Sequence, residues 1–270
     1  MTKDKRFGFG KNWKDFLNTL DDERITEAEK SLKNMLGLET LKGKTFLDIG
    51  SGSGLFSLAA YRLGATVYSF DYDINSVECT KMLRERYAKN DPLWKVEQGS
   101  VLDDEYLKKI PEADVVYSWG VLHHTGNMYT ALQNTQEKVK NGGTLFIAIY
   151  NDQGAMSRIW TKIKKTYHAL PTFLRPVFVC FLVVIEETQL FIRKCISLKN
   201  PLPFKRWVDK KKSRGMSMWY DWVDWVGGYP FEVARPEQIM EPLMEKGFTL
   251  TKLITKAGGH GCNEYVFIKN

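Results

Sequence analysis

The chain has 270 residues, a formal net charge of +7 and 43% apolar residues. This composition is ordinary for a globular protein, and it disfavours the disordered and fibrous classes. Its four cysteines are scattered without a CxxC pair, so they predict reduced thiols in a cytoplasmic protein and neither a zinc site nor a disulfide framework. The first residues, MTKDKRFGFGKNW, lack an apolar run, and we therefore expect no secretory signal.

Read in chain order, residues 10–41 show an amphipathic helical pattern. Trp13, Phe16, Leu17 and Leu20 recur at helix spacing, and a second helix is expected to run through Leu36. After residue 43, short apolar runs alternate with helical segments. We expect strands at residues 45–49, 66–70, 94–98, 114–118 and 144–150, and helices at residues 55–63, 75–87 and 128–140.

This alternation requires parallel strands joined by crossover helices. It stops at residue 151 and resumes near residue 236, with a helix to residue 245 and strands at 248–255 and 264–268. The predicted fold class is therefore α/β, a Rossmann-like doubly wound sheet of about seven mostly parallel strands. The predicted divisions are an N-terminal helical cap (1–43), a Rossmann-like core (44–150), a basic, aromatic-rich helical insertion or lid after strand 5 (151–234), and the last helix and two strands of the core (235–270).

The basic character of the chain belongs to the insertion. Residues 151–234 hold fourteen Lys and Arg against seven Asp and Glu, whereas the remainder is neutral. Within the insertion, residues 176–185 read PVFVCFLVVI, which is too short to span a bilayer. A buried helix is one interpretation of this run; a helix on a membrane surface or beneath an apolar substrate is the other. Peripheral membrane contact through residues 160–200 is therefore an expectation for this cytoplasmic protein.

A glycine-rich loop follows the first predicted strand in the sequence FLDIGSGSG. Glycines at positions 50, 52 and 54 let the backbone turn sharply and approach a ligand closely. The nicotinamide fingerprint is GxGxxG, whereas this loop is GxGxG with Asp48 just before it. A carboxylate at that position suits a ligand that has an ammonium group and no pyrophosphate.

The ends of the next two strands carry polar residues at the same predicted edge. Asp71 ends the second strand, where a carboxylate can accept hydrogen bonds from both ribose hydroxyls. Asp73 follows as an expected helix cap. Residues 98–103, QGSVLD, follow the third strand, where backbone amides and side chains can contact an adenine.

Four motifs, DIGSGSG, FDYD, EQGSVLD and YSWGVLHHTGNM, occur in the order and at about the separations of the class I S-adenosylmethionine (SAM) dependent methyltransferases. The chain resembles this family over residues 40–150, and within it the bacterial ubiquinone-pathway O-methyltransferases. The resemblance implies SAM as the cofactor and no metal. It also implies a SAM loop formed by Asp48, Gly50, Gly52 and Gly54, a ribose contact from Asp71, and adenine contacts from Ser100 and Val101. Ser51, Tyr72 and Trp119 complete the predicted cofactor site. The family often has Asp where Ser100 stands, which puts that one contact in doubt.

The predicted fourth strand leads into SWGVLHHT, where similar methyltransferases carry a His or Glu-His pair. His124 is the predicted general base, with His123 second, because histidine is suited to proton transfer at neutral pH. The alternative is that both only satisfy hydrogen bonds of the loop. Trp119 either covers the adenosine or fills the core. Tyr150 and Asn151, at the end of the fifth strand, are predicted to contact the acceptor.

The insertion carries the aromatic run MWYDWVDW. Trp219, Tyr220, Asp221 and Trp222 are predicted to contact the acceptor, with simple packing of the lid as the alternative. His260, in the glycine-rich loop before the last strand, is a further candidate for the acceptor site. His168 is expected to be a surface residue.

The predicted function is O-methylation of a small molecule, a sugar or a lipid-linked glycan intermediate. An RNA methyltransferase acting on tRNA through the basic insertion stays open as an alternative. The fourth strand lacks the Asn/Asp-Pro-Pro-Tyr signature of base-amino methylation, which makes nucleic acid the less expected partner. A non-catalytic SAM-binding module also stays open.

Overall fold

The computed structural model describes residues 7, 8, 17, 20–89, 91–197 and 218–270, apart from the side chains of Met218, Tyr220 and Asp221. The predicted N-terminal residues Trp13 and Phe16 lie outside the described residues. Two compact units are present. We call Gly8–Ser157 with Pro230–Asn270 the core unit, and Met1–Phe7 with Arg158–Tyr229 the insert unit.

The core unit is built on one sheet of seven strands in the order β3-β2-β1-β4-β5-β7-β6. The pairs among β1 to β5 are parallel, and β7 is antiparallel to both β5 and β6. The strands are β1 Thr45–Ile49, β2 Thr66–Asp71, β3 Trp94–Gln98, β4 Ala113–Trp119, β5 Val139–Tyr150, β6 Phe248–Ile254 and β7 Cys262–Lys269. The predicted sheet of seven mostly parallel strands is confirmed.

Crossover helices connect these parallel strands, as the alternation of the sequence requires. The helices of the core unit are α1 Asp22–Leu36, α2 Leu55–Arg62, α3 Ile74–Tyr87, α4 Asp104–Leu107, α5 Met128–Glu137 and α9 Pro236–Glu245. α6 Ala155–Ala169 leads from this unit into the insert unit, which also contains α7 Arg175–Ile196 and α8 Met218–Gly227.

Local capping explains where α1 begins and ends. The side chain of Asp21 accepts a hydrogen bond from Arg24 N at the first turn, and Gly37 ends the helix in a left-handed conformation with φ of 66°. Residues of one face, Ile25 and Leu32 among them, are buried. The helix therefore packs by the amphipathic pattern that predicted it.

One predicted boundary is wrong. The helix expected over residues 128–140 ends at Glu137, because β5 begins at Val139. Val139 pairs with Ala113 across an irregularity in the β4 register, and this pairing extends the strand through Gly142 and Gly143. The glycines were expected to precede the strand, but they lie inside it.

The core lies between the sheet and its helices. Leu47, Ile49, Val116, Leu145 and Ile147 are almost fully buried on the central strands. Such continuous apolar strands are typical of parallel sheets that are covered on both faces. Because β1, β2, β4 and β5 run in the same direction, their carboxyl ends meet at one edge, and the candidate site lies there.

The insert unit buries a lysine of α6 and partly covers a histidine of the same helix. Lys164 is 1% exposed, and its Nζ donates a hydrogen bond to Trp225 O. Burial lowers the pKa of Lys164 to about 7. His168, expected to be a surface residue, is half-buried, and its Nε2 lies 2.7 Å from Gly227 O. In the described part of the chain, no helix combines the length and apolar content needed to cross a membrane.

Candidate functional site

The glycine loop joins β1 to α2 at the carboxyl edge of the sheet. Gly50 N and Ser51 N donate hydrogen bonds to Phe70 O, at 2.8 and 3.1 Å, and these tie the loop to the end of β2. Gly50 has a φ of 81°, and a Cβ atom there would lie only 2.4 Å from a methyl carbon of Val121. Glycine is therefore required both for the turn and for the approach of Val121.

The rest of the loop is held by α3 and by the end of β2. Ser51 is buried, and its hydroxyl is 3.0 Å from the hydroxyl of Thr80. Gly54 precedes α2 with a φ of 80°, and a Cβ there would lie 2.9 Å from a side-chain carbon of Thr80. Gly52 N donates to Asp71 Oδ2 at 2.9 Å. The predicted loop residues therefore lie beside the predicted ribose carboxylate.

Asp71 is held at the end of β2 by two backbone donors. Gly52 N bonds to one carboxylate oxygen, and Asp73 N bonds to the other at 2.8 Å. Each oxygen keeps a further lone pair that can accept from a ligand hydroxyl. Burial raises the pKa of Asp71 to about 6, and the two backbone N–H groups oppose that rise. Tyr72, the next residue, is half exposed.

Asp73 caps α3, as predicted. Its Oδ1 accepts from Asn75 N at 2.9 Å, at the first turn of the helix. The carboxylate of Asp73 is therefore already engaged in a hydrogen bond that caps the helix.

Asp48 lies beneath the loop rather than on its surface. It is 2% exposed, and Ser57 Oγ donates to its Oδ2 at 2.5 Å. Because Trp94 Nε1 donates to Ser69 Oγ and Ser57 uses its proton on Asp48, Ser69 must donate to Ser57. A directed chain of three hydrogen bonds thus ends on this carboxylate. Burial raises the pKa of Asp48 to about 7, and the negative charge of Asp71 adds to the effect.

Two residues after β3, Ser100 and Val101, are predicted to flank the adenine, and only the second is buried in the core. Ser100 is half-buried, and its hydroxyl accepts from Leu102 N at 3.1 Å. Val101 is buried in the core, and Asn134 Nδ2 donates to its carbonyl oxygen. The side chain of Val101 is therefore a packing residue, and its contact with adenine stays a prediction.

The carboxyl end of β4 leads directly to the two histidines. Trp119 ends the strand and is 44% exposed, so of the two interpretations the structure disfavours a core plug. Val121 then packs on Gly50, and Leu122–His124 form one turn of 3-10 helix. The histidine turn is thereby anchored against the glycine loop.

Hydrogen bonds separate the roles of the two histidines. His124 Nδ1 lies 2.6 Å from Pro230 O, and a carbonyl oxygen can only accept, so Nδ1 carries a proton. In the neutral ring, Nε2 of His124 then holds a lone pair, which is the form that a general base needs. His123 is fully buried, and its Nδ1 accepts from Tyr150 N at 3.3 Å. That bond places the proton of a neutral His123 on Nε2.

Residues 230–234, which we call the strap, hold the histidine turn from the other side. Glu232 N donates to His123 O at 3.0 Å, and Glu232 Oε1 accepts from Met128 N at the start of α5. The Phe231 ring lies 5.3 Å from the ring of Tyr150. The strap therefore fixes the carbonyl of Pro230 that orients His124.

Tyr150 and Asn151 end β5 beside this turn. The Tyr150 ring is 3.9 Å from the His123 ring and 5.4 Å from the His124 ring, measured between centroids. Asn151 is buried; its Nδ2 donates to Gly259 O, and its Oδ1 accepts from Asn263 Nδ2. Asn151 thus anchors the loop that carries the exposed His260. The acceptor roles predicted for all three residues stay predictions.

The aromatic residues predicted to contact the acceptor belong to α8 of the insert unit. Trp219 is 39% exposed, whereas Trp222 is buried. The side chains of Tyr220 and Asp221 lie outside the described residues. The acceptor roles of these four residues stay predictions.

The strap was missed in the sequence. Pro230 and Glu232 lie more than 100 positions from the groups they contact, His124 and Met128. No periodicity or short motif connects positions so far apart. Across the described ranges, no group of three or more His, Cys, Asp or Glu side chains is arranged to hold a metal ion.

The fold and the loop define a Rossmann-like α/β domain, in which a glycine loop and the buried carboxylate of Asp71 lie together at the carboxyl edge of the sheet. Residues 20–178 match the family model described as a methyltransferase domain. The chain therefore belongs to the methyltransferase domain family, which confirms the family resemblance of its motifs.

Individual relatives agree with this assignment. The chain is 30% identical over 134 residues to a ubiquinone biosynthesis O-methyltransferase of Pelagibacter ubique, covering 50% of each chain. It is 32% identical over 119 residues to the protein of that name from Brucella ovis, covering 41% of this chain and 43% of the other. The chain thus spans about half the length of these curated relatives, or less.

A solved structure shows the same fold. The magnesium protoporphyrin IX methyltransferase of Synechocystis, solved with bound SAH, superposes with a TM-score of 0.54 at 12% identity. The match covers 95% of this chain and 86% of that one.

Proposed function

We propose that this chain is a SAM-dependent methyltransferase that methylates a hydroxyl group of a small molecule. The observation that carries the proposal is the pairing of the glycine loop with Asp71, bonded through Gly52 N. The methyltransferase family and the SAH-bound structural neighbour support SAM as the ligand.

The residues at this edge fit an adenosyl ligand. Glycine at position 50 leaves the backbone uncovered, and Asp71 keeps lone pairs for the two ribose hydroxyls. Tyr72, Ser100, Val101 and Trp119 are proposed to border the adenosine. Asp48 acts from beneath the loop, where its charge attracts the ammonium group of the ligand. When bound, SAM supplies an electrophilic methyl group.

His124 is the proposed general base for the acceptor hydroxyl. The carbonyl of Pro230 fixes the ring and its tautomer, as the third group of a catalytic triad does for its histidine. The Nε2 lone pair then removes the acceptor proton while the oxygen attacks. His123 is the weaker candidate, because its ring is buried and its Nδ1 already accepts from Tyr150 N.

The acceptor is proposed to be a small hydroxyl compound, a sugar or a lipid-linked glycan intermediate. O-methylation is supported by the names of the Pelagibacter and Brucella relatives. Tyr150, Asn151 and His260 are proposed to shape the acceptor side of the core unit. Trp219, Tyr220, Asp221 and Trp222 stay proposed acceptor contacts on α8, and peripheral membrane contact through residues 160–200 stays a proposal.

A product assay tests the function. The full chain is incubated with SAM and with phenolic, glycosidic and polyprenyl-linked hydroxyl acceptors, and the release of SAH is measured. We expect release with at least one hydroxyl acceptor, and its loss in His124→Ala. Release with unmodified tRNA alone would favour the RNA methyltransferase. SAM binding with no release from any acceptor would favour the non-catalytic module.

A further inference from the structure

Helix α7 presents a long, mostly apolar face to solvent. Val177, Phe181, Val184 and Phe191 follow one another at intervals of one or two turns, and each is at least 47% exposed. Ile185, Ile192 and Ile196 widen the same face, and Phe173 extends it before the helix begins. We call these eight residues the α7 stripe. At 22 residues, α7 is about 33 Å long.

The charges of α7 lie off this stripe. With 100° between successive residues, Glu186 and Arg193 point roughly opposite to Val184, and Glu187 and Lys194 lie along one margin. The face toward Phe181 and Val184 is interrupted only by Thr188 and two cysteines. A continuous exposed patch of this length is unusual in a protein that has no partner for it.

The sequence around the end of α7 is strongly basic. Residues 193–214 contain nine Lys and Arg and a single acid, Asp209. An apolar helical face within a segment of strongly basic sequence is the pattern of helices that lie in the interface of an anionic bilayer. A second copy of the chain fits less well, because two insert units of the same net positive charge repel each other.

We propose that the α7 stripe docks on the surface of a bilayer rich in anionic phospholipid. The stripe enters the boundary between headgroups and acyl chains, and the net positive charge of the insert unit attracts the anionic surface. The proposal rests on exposure, helical spacing and charge, and it is independent of the methyltransferase reaction.

The chain carries its own probes for this proposal. Cys180 and Cys195 lie on the exposed face of α7, whereas Cys79 and Cys262 are buried in the core unit. In the free protein, a maleimide should label Cys180 and Cys195 rapidly. Vesicles of phosphatidylcholine with about 30 mol% phosphatidylglycerol should slow this labelling at least about tenfold, and pure phosphatidylcholine should have little effect.

Vesicle flotation with matched variants completes the test. Phe181→Ser with Val184→Ser should reduce the fraction of full-length protein bound to anionic vesicles at least about tenfold. Met82→Ser with Leu93→Ser removes two exposed apolar side chains of the core unit and should bind like the wild type. Circular dichroism melting verifies that both variants fold.

Four results would overturn the proposal. One is wild-type protein that does not float with anionic vesicles, and another is vesicle binding that the Phe181/Val184 variant retains. A third is slow labelling of Cys180 and Cys195 without lipid, which would mean that residues 198–217 or a second copy cover the stripe. The fourth is retention of tRNA without vesicle binding, which would assign the basic run to nucleic acid.

Discussion

At the scale of single residues, the loss of the Asp71 carboxylate should have the most direct effect on the affinity for SAM. Asp71→Ala should weaken SAM binding at least about tenfold, because charge-assisted hydrogen bonds to the ribose hydroxyls are lost. Calorimetric titration measures the Kd. Asp21→Ala is the matched control: Asp21 caps α1 through Arg24 N, is not among the predicted cofactor residues and should leave the Kd near normal. Unchanged affinity in Asp71→Ala would contradict the assignment of the ribose carboxylate.

His124 should affect turnover rather than cofactor affinity. His124→Ala should lower kcat about 100-fold or more, since the acceptor hydroxyl loses its base, while the Kd of SAM stays close to that of the wild type. His124→Asn, which can still donate to Pro230 O, separates the loss of the base from the loss of this hydrogen bond. Wild-type turnover in either variant would remove His124 from the mechanism.

Asp48 should lower the stability of the ligand-free protein at neutral and alkaline pH. Its folded pKa of about 7 lies above the ordinary value of 3.8 for an aspartate, so between these two pH values the folded state holds a proton that the unfolded state has released. The free energy of unfolding therefore falls as pH rises from about 4 to about 7, and it stays lower above pH 7.

The Asp48→Asn variant isolates this effect. Between pH 5 and pH 8, the wild type should lose roughly 2–3 kcal/mol of unfolding free energy that the variant keeps, from a pKa difference of about three units. Urea denaturation of both proteins at the two pH values gives the difference, and any pH-independent effect of the substitution cancels. If the unfolding free energies of the two proteins changed in parallel with pH, the raised pKa of Asp48 in the folded state would be contradicted.

At the scale of elements, the glycine loop and the histidine turn should behave as one packed unit. Gly50→Ala places a Cβ against Val121, and the displaced turn should weaken SAM binding and lower turnover, each at least about tenfold. Gly37→Ala is the control, because Gly37 has a similar positive φ of 66° and no atom near its added Cβ. Both variants carry backbone strain, but only the first creates the contact.

A smaller side chain at residue 121 should relieve the loss of SAM affinity in Gly50→Ala. Adding Val121→Ala to Gly50→Ala removes the methyl groups that the new Cβ would meet, and it should restore part of the affinity. Equal SAM affinity in the Gly50→Ala and Gly37→Ala variants would mean that Val121 does not couple the loop to the turn.

Elements whose signals are local were predicted well. The strands Thr45–Ile49 and Trp94–Gln98 have the predicted bounds, because each carries a local strand pattern. The first is buried along almost its whole length, and in the second buried and more exposed residues alternate. The start of β5 was predicted five residues late. Its first residue is set by pairing with Ala113 on another strand, which no local pattern contains.

The candidate site divides in the same way. The glycine loop, Asp71 and the histidine pair are encoded in short motifs that follow successive strands, so the topology brings them to one edge. The strap is different, because Pro230 meets His124 only once the chain has returned from the insert unit. The orientation of His124, the proposed base, is therefore a property of the fold and could not be predicted from residues 118–125.

At the scale of the whole molecule, the two units carry different chemistry. The core unit contains the sheet edge at which SAM is proposed to bind. It also contains the turn that carries His123 and His124. The insert unit holds the α7 stripe and most of the basic excess. Disrupting the α7 stripe should therefore change vesicle binding without changing the affinity for SAM.

The central claim is that the core unit binds SAM, and calorimetric titration of the full chain with SAM, SAH and NAD tests it most directly. The account predicts micromolar binding of SAM and SAH, no binding of NAD, and loss of affinity for SAM in Asp71→Ala. Binding of NAD alone, or of none of the three, would contradict it.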